Sequence, residues 1–519
     1  MSKWAFVFLF LLGLLMTGLV GNFQSAPGYM DAEYYFSTGR ELAQGQGFNE
    51  PFLWNYLDDP QGLPHPSHAY WLPLTSLLAA AGMKLGNSLA FHAAQFGFIL
   101  CAAGLPVLTA ALAFSLTQKT SSALLAGILA IFSIFYIPFL PTTDTFALYM
   151  LLGGAIIFVP AKIESPLLRA VILGLLAGLM YLSRADGLLW LLIALWMLNC
   201  DLTIGRMRYS LVLLVAFSLL ALPWMLRNYS IWGTPFSPGG AAALWFTDYD
   251  QLFAFPAAQI NFSHWLQSGF AAIMKARLWA LGQNLQTALA VQGEIFLTPL
   301  IILGAWRLWH QRRVQVGIAA WGLTLIAMTF VFPYAGARGG FFHSGAALQT
   351  LFWALAAVGL DVFLEWGVRV RHWSPRGSRI VFSGAVIGFA ALLSVYLVGG
   401  RVLGWGAGSQ PWGAGQAAYV DLQVELQRLD IPTEAIILVN NPPGFYLASQ
   451  RPAIVIPDGD MDILLAVARR YGAQIVLLES NHPRGLDDLY NNPTAYSQFE
   501  LLWSDGESHI LQIVDGGDS

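Results

Sequence analysis

Long apolar runs separated by short polar stretches fill the chain up to about Gly400, and the pattern then changes. A helix needs roughly 20 apolar residues to cross a bilayer. By that measure the candidate spans are Trp4–Gly21, Leu89–Leu116, Ser121–Leu140, Thr145–Ala161, Ala170–Ser183 and Leu188–Cys200. Tyr209–Leu226, Leu285–Trp306, Val314–Phe332, Gly345–Trp366 and Ile380–Gly400 follow, which makes eleven. The pair around Arg184-Ala185-Asp186-Gly187 is short, and predicts tilted helices or a kink. Tyr70–Leu85 is apolar but too short to span, and counting it would invert every later loop. It reads as an interfacial helix. From about Leu403 the period shortens. Ala435–Asn440, Ala453–Ile456, Gln474–Glu479, Phe499–Ser504 and His509–Val514 predict short strands, with amphipathic helices at Tyr419–Leu429 and Met461–Tyr471.

Basic residues set the orientation. With a cytoplasmic N-terminus, alternate loops hold Lys119, then Lys162 and Arg169, then Arg206 and Arg208. The next hold Arg307, Arg312 and Arg313, then Arg369, Arg371, Arg376 and Arg379. The opposite loops are poorer in Lys and Arg, so the positive-inside rule places them outside. The expected organisation is therefore an α-helical polytopic membrane domain over 1–402, with outer loops 22–88 and 227–284. A small extracytoplasmic α/β domain over 403–519 completes it.

Composition supports this picture and removes others. Of 519 residues, 56% are hydrophobic and only 11% charged, against about 25% charged in a soluble domain. A net charge of −4 offers no basic surface for nucleic acid. The two cysteines, Cys101 and Cys200, both lie in apolar runs, which indicates neither a disulfide framework nor a cysteine metal site. The first run starts with Lys3 but lacks a small-x-small cleavage site, and reads as a retained anchor. No Walker loop, dinucleotide fingerprint or internal repeat is present.

Polar residues that can carry chemistry cluster on the expected outer side. Asp31 and Glu33 follow the first span directly. On a helix they point about 200° apart, and Asp31 shares a face with Tyr34 and Tyr35. Asp144, in Pro141-Thr142-Thr143-Asp144, opens a span, where capping the helix is its plainer task. Arg184 and Asp186 stand two apart between apolar runs, close enough to neutralise each other. Arg227 follows Pro223-Trp224. Arg338 and His343 can grip an anionic headgroup, since guanidinium suits phosphate oxygens, or anchor helix ends. His65 and His68 suit a metal or a phosphate, with ordinary surface histidines as the plainer reading.

Acids, bases and apolar walls together describe a site for a substrate with a charged head and a hydrocarbon tail, such as a polyprenyl-phosphate sugar. Transfer from such a donor needs a cation for the departing phosphate and a base for the acceptor hydroxyl.

The order of motifs also resembles a known family. Tyr29-Met30-Asp31-Ala32-Glu33-Tyr34-Tyr35 with Gly45-Gln46-Gly47-Phe48 is similar to the first outer loop of GT-C glycosyltransferases. The likeness is narrower to the branch of protein O-mannosyltransferases and the lipid A aminoarabinose transferase. Pro66 to Leu74 resembles the proline-aromatic stretch that follows there. Thr143-Asp144 falls where the family often has its second acid. Leu182-Ser183-Arg184-Ala185-Asp186-Gly187 resembles its Arg-Pro-Asp/Glu-Gly turn, with Ala185 replacing proline. Pro223-Trp224, Arg227-Asn228 and Gly233-Thr234-Pro235 resemble its later stretch.

The resemblance covers about Trp4 to Leu360. It implies an outward-facing, inverting glycosyltransferase of the bacterial plasma membrane that takes a polyprenyl-phosphate-linked sugar. The acceptor would be a hydroxyl on a lipid, glycan or protein. Asp31 falls at the position of the catalytic acid and reads as the general base, with Asp144 assisting. Glu33, Tyr34, His65, His68, Arg184, Arg227, Arg338 and His343 are the candidate substrate contacts. A divalent metal, magnesium or manganese, serves some members and not others, and the residues leave that open. A transporter or flippase of a lipid-linked or anionic molecule, or a non-catalytic envelope assembly protein, would use the same polar groups differently.

Overall fold

A computed structural model describes residues 1–200 and 204–514, and divides into two compact units. The first comprises Met1–Ser25, Trp71–Pro235 and Ala276–Trp412. The second comprises Ala26–Tyr70, Phe236–Lys275 and Gly413–Ser519.

The first unit is helical. Among the described residues seven helices are long and apolar enough to cross a membrane. They are Lys3–Asn22, Phe91–Thr117, Pro166–Ser183, Arg206–Trp232, Arg312–Val331, Gln349–Arg371 and Pro375–Arg401, so this is a multi-pass membrane protein. A helix satisfies its own backbone groups, which is what a segment in hydrocarbon must do. Trp4, Leu11 and Leu15 of the first helix, and Leu392 and Tyr396 of the last, are exposed as lipid-facing residues should be.

Two expected spans take another form. The run Ser121–Leu140 is helical only over Thr120–Ile131, and turns follow. Pro138 and Pro141 disfavour helix at the residues before them. Leu285–Trp306 is broken: Phe270–Thr287 passes through a π turn, and a second helix begins at Thr298. Glu294 and Ile295 adopt φ of 46° and 60° in the break, and Pro299 starts the second helix. Trp353 Nε1 donates to the buried Glu294 Oε1 at 2.7 Å and fixes the break in place. The second piece then packs closely on Gln349–Arg371. A Cβ on Gly304 would lie 1.9 Å from the Leu355 carbonyl oxygen, and one on Gly359 would lie 1.8 Å from that of Leu300. Small residues that let backbones meet are a common means of helix association in lipid.

Several basic loops expected on one side do meet. Arg379 Nη1 lies 2.9 Å from Asp361 Oδ1, and Lys119 Nζ lies 3.7 Å from Oδ2. Arg313 Nη1 donates to Ser115 Oγ at 2.9 Å.

The second unit is built on sheets. Its strands are β1 (Asn49–Glu50), β2 (Phe52–Leu53), β3 (His65–Pro66), β4 (Ile437–Val439), β5 (Ala453–Val455), β6 (Ile475–Glu479), β7 (Phe499–Ser504) and β8 (Ser508–Ile513). β1 and β3 form an antiparallel pair, and the others form one sheet in the order β2-β5-β4-β6-β8-β7. The pairs β2–β5, β5–β4 and β4–β6 are parallel, and β6–β8 and β8–β7 antiparallel. The five late strands lie within a residue or two of the expected positions. The short β2 was not anticipated, and it draws the loop after the first helix into the same sheet. Leu53, Leu438, Ile454, Leu464, Val476 and Leu511 share the core.

Candidate functional site

In the second unit, Met30–Gln44 forms a helix, and Gly45 ends it at φ 84°. Asp31 and Glu33 stand in its first turn, where carboxylates complement the helix dipole. Asp31 is half-buried, whereas Glu33 is buried and accepts a hydrogen bond from Asn441 Nδ2 at 2.7 Å. Burial pushes the Glu33 carboxyl up to about 7; the Asn441 bond draws it down and the charge of Asp31 raises it further. Tyr34 is also buried. Its hydroxyl accepts the His68 backbone N–H at 2.7 Å, and burial holds its ionisation well above the usual range.

The two histidines are not surface residues. His65 Nε2 contacts Asp58 Oδ2 at 2.7 Å, with both side chains almost fully enclosed. His68 adopts φ 71°, packs edge-on against Tyr34 and Phe48, and its Nδ1 lies 2.8 Å from Ser67 Oγ. Each imidazole therefore finds a partner inside the fold, and the surface reading is corrected.

The first unit carries a continuous polar cluster. Asp144 is buried just before helix Phe146–Phe158. Its Oδ1 accepts the adjacent Thr145 N–H at 2.5 Å. Its Oδ2 lies 3.0 Å from His343 Nε2. The other ring nitrogen of His343 faces the Gly339 carbonyl at 3.0 Å, and the ring stacks on Phe146 at 4.1 Å. Both ring nitrogens thus face oxygen. Next to His343, Ser344 Oγ accepts from Arg184 Nη2 at 3.4 Å. Arg184 Nε binds Asp186 Oδ1 at 2.9 Å, and Tyr149 OH donates to Asp186 Oδ2 at 3.0 Å.

Arg338 is exposed at a kink where Gly339 has φ 121°, one turn before His343. Arg227 is on helix Arg206–Trp232, its guanidinium carbon 4.5 Å from the Trp224 ring and 5.1 Å from Trp232. Asp144 Oδ2 and His343 Nε2 are close enough to ligate one divalent ion. An imidazole in that set suits manganese or zinc better than magnesium, which prefers oxygen. Asn441, Tyr149, Ser344 and Asp58 escaped the sequence reading. The Arg184–Asp186 spacing was the only local signal near any of them.

The fold is similar to those of solved GT-C glycosyltransferases. One solved neighbour is ArnT, the lipid A aminoarabinose transferase, of Cupriavidus metallidurans bound to undecaprenyl phosphate. The TM-score is 0.56 at 12% identity, over 99% of each chain. Another is the oligosaccharyltransferase AglB of Archaeoglobus fulgidus with an inhibitory peptide and a dolichol-phosphate, at TM-score 0.58 and 14% identity. It covers 94% of this chain and 70% of that one. The Archaeoglobus enzyme is also known with Zn and sulfate, at TM-score 0.58 and 12% identity over 97% of this chain and 72% of that one. No protein-family model matches the sequence, and no curated protein matches it.

Proposed function

We propose that the chain is a membrane glycosyltransferase that moves a sugar from a polyprenyl-phosphate donor to an acceptor hydroxyl outside the plasma membrane, with inversion. The observation that carries this reading is the fold shared end to end with ArnT, an enzyme solved with undecaprenyl phosphate. The same likeness disfavours a transporter.

In the proposed reaction Asp31 takes the proton of the acceptor hydroxyl. The freed oxygen attacks the anomeric carbon from the face opposite the phosphate. The carbon–oxygen bond to phosphate breaks, and polyprenyl phosphate leaves. Arg338, exposed at its kink, and Arg184, anchored by Asp186, are assigned to the phosphate oxygens, which guanidinium groups match. Asp144 and His343 would hold a divalent ion, which would supply further positive charge for the departing phosphate. Arg227, between two indoles, is placed along the lipid or the acceptor. The count of eleven spans is kept by assigning Thr120–Ile131, Phe146–Phe158, Leu188–Asn199 and the broken Phe270–Arg307 segment to the membrane. The basic loops face the cytoplasm in that arrangement.

Incubating purified protein with radiolabelled polyprenyl-phosphate sugars tests the class. Release of polyprenyl phosphate with acceptor labelling is expected. Donor bound and returned unchanged would point to transport.

A further inference from the structure

Helix Met30–Gln44 runs beside helix Pro442–Ser449 in the second unit, and three polar pairs join them. Asn441 Nδ2 donates to Glu33 Oε2 at 2.7 Å, Tyr446 OH to Glu41 Oε1 at 3.2 Å, and Arg40 Nη2 to Gln450 Oε1 at 3.4 Å. The pairs lie about two turns apart along Met30–Gln44, so they fix both its tilt and its rotation.

Asn441 is itself held. It follows β4, and its Oδ1 accepts the Gly444 N–H to cap the next helix at 3.2 Å. Space around the first pair is tight. A Cβ on Gly444 would lie 2.6 Å from Asn441 Nδ2 and 2.8 Å from Glu33 Oε2.

The position of this pair in the sheet is informative. From β4 the chain connects to β5 on one side, and from β5 it crosses to β6 on the other. The carboxyl ends of β4 and β6 therefore flank a topological switch point, where open α/β sheets hold their ligands. Here Asn441 follows β4, and Glu479 ends β6 and accepts the Tyr419 hydroxyl at 3.1 Å. The chain's own Glu33 takes the place of a ligand.

We propose that Asn441 and Glu33 form a clasp that positions Asp31, two residues earlier on the same helical turn. Glu33 is then a positioning residue and not a substrate contact. This rests on the reading of Asp31 as the base. The groups facing Glu33 are Asp31 on its own helix, Asn441, and Tyr419 with its partner Glu479. An uncharged Glu33 suits that surrounding, and burial keeps its carboxyl protonated up to about pH 7.

The test exchanges donor and acceptor. Asn441→Asp keeps the cap on Gly444 but sets two carboxyls face to face. They share a proton at pH 6 and repel at pH 8. Adding Glu33→Gln restores a donor opposite the new carboxylate and removes that pH dependence. The position of the turn is read without activity, from the thiol-modification rate of Asp31→Cys in the full chain lacking Cys101 and Cys200. At pH 8 Asn441→Asp should raise the rate about fivefold, and added Glu33→Gln should bring it back. Gly444→Ala should raise it at both pH values. Transfer measured with native Asp31 should fall and recover in parallel. Equal thiol rates throughout would overturn the clasp. Thiol rates that respond while transfer stays constant would leave the clasp standing and refute the role of Asp31.

Discussion

Glu33 makes the stability of the second unit depend on pH, with a sign opposite to that of most carboxylates. Its carboxyl moves from an ordinary 4.5 to about 7, first through burial, then against the Asn441 bond and with the charge of Asp31. Between these values the folded protein keeps a proton that the unfolded chain releases. The stabilisation is therefore complete below pH 4.5 and lost as pH rises through about 7. A gap of about 2.5 pH units, at about 1.36 kcal/mol each, is about 3 kcal/mol. Glu33→Gln remains neutral and can still accept from Asn441 through its amide oxygen. The variant should match the wild type near pH 4.5 and exceed it by up to about 3 kcal/mol at pH 8. Thermal unfolding in detergent at half-unit pH steps measures this directly. Parallel curves for variant and wild type would refute the buried, protonated Glu33.

Other consequences can be checked separately. A reporter active only in the cytoplasm should work when fused after Arg313 and be silent after Gly408; the reverse would invert the topology. Arg338→Ala should lower donor use at least about tenfold. Arg376→Ala, an exposed residue outside the proposed machinery, should leave it unchanged, and equal effects would remove Arg338 from the donor phosphate. Chelation should suppress transfer, manganese should restore it better than magnesium, and Asp144→Asn should blunt that recovery. Transfer indifferent to chelator would leave Asp144 and His343 as a helix-docking pair.

The sequence made visible what is enforced locally. Apolar length marks helices such as Pro375–Arg401 because hydrocarbon imposes it. Helix Met461–Tyr471 is bounded as read, with Asp460 accepting two N–H groups at its start and Gly472 in the left-handed region at its end. Strand Phe499–Ser504 also falls where its alternation placed it. Long-range partners were not legible. Asn441 lies 408 residues from Glu33, and β2 gains its meaning only beside β5. His65 and His68 looked solvated because nothing nearby announced the enclosure around Asp58 and Tyr34. Asp144 and His343 were noticed for separate tasks, and only the fold shows them paired across 199 residues. The break at Glu294 was hidden because its apolar neighbours continue on both sides, and the donor to its Oε1 is a tryptophan 59 residues away.

The assignment of Asp31 as the base that takes the acceptor proton is tested by Asp31→Asn. The substitution keeps shape and some hydrogen bonding but cannot accept a proton at neutral pH. A general base typically contributes about 10²–10⁴-fold. Release of polyprenyl phosphate from a radiolabelled donor should fall by that order, while the variant inserts, stays monodisperse and binds donor as the wild type does. Release at the wild-type rate would contradict the account.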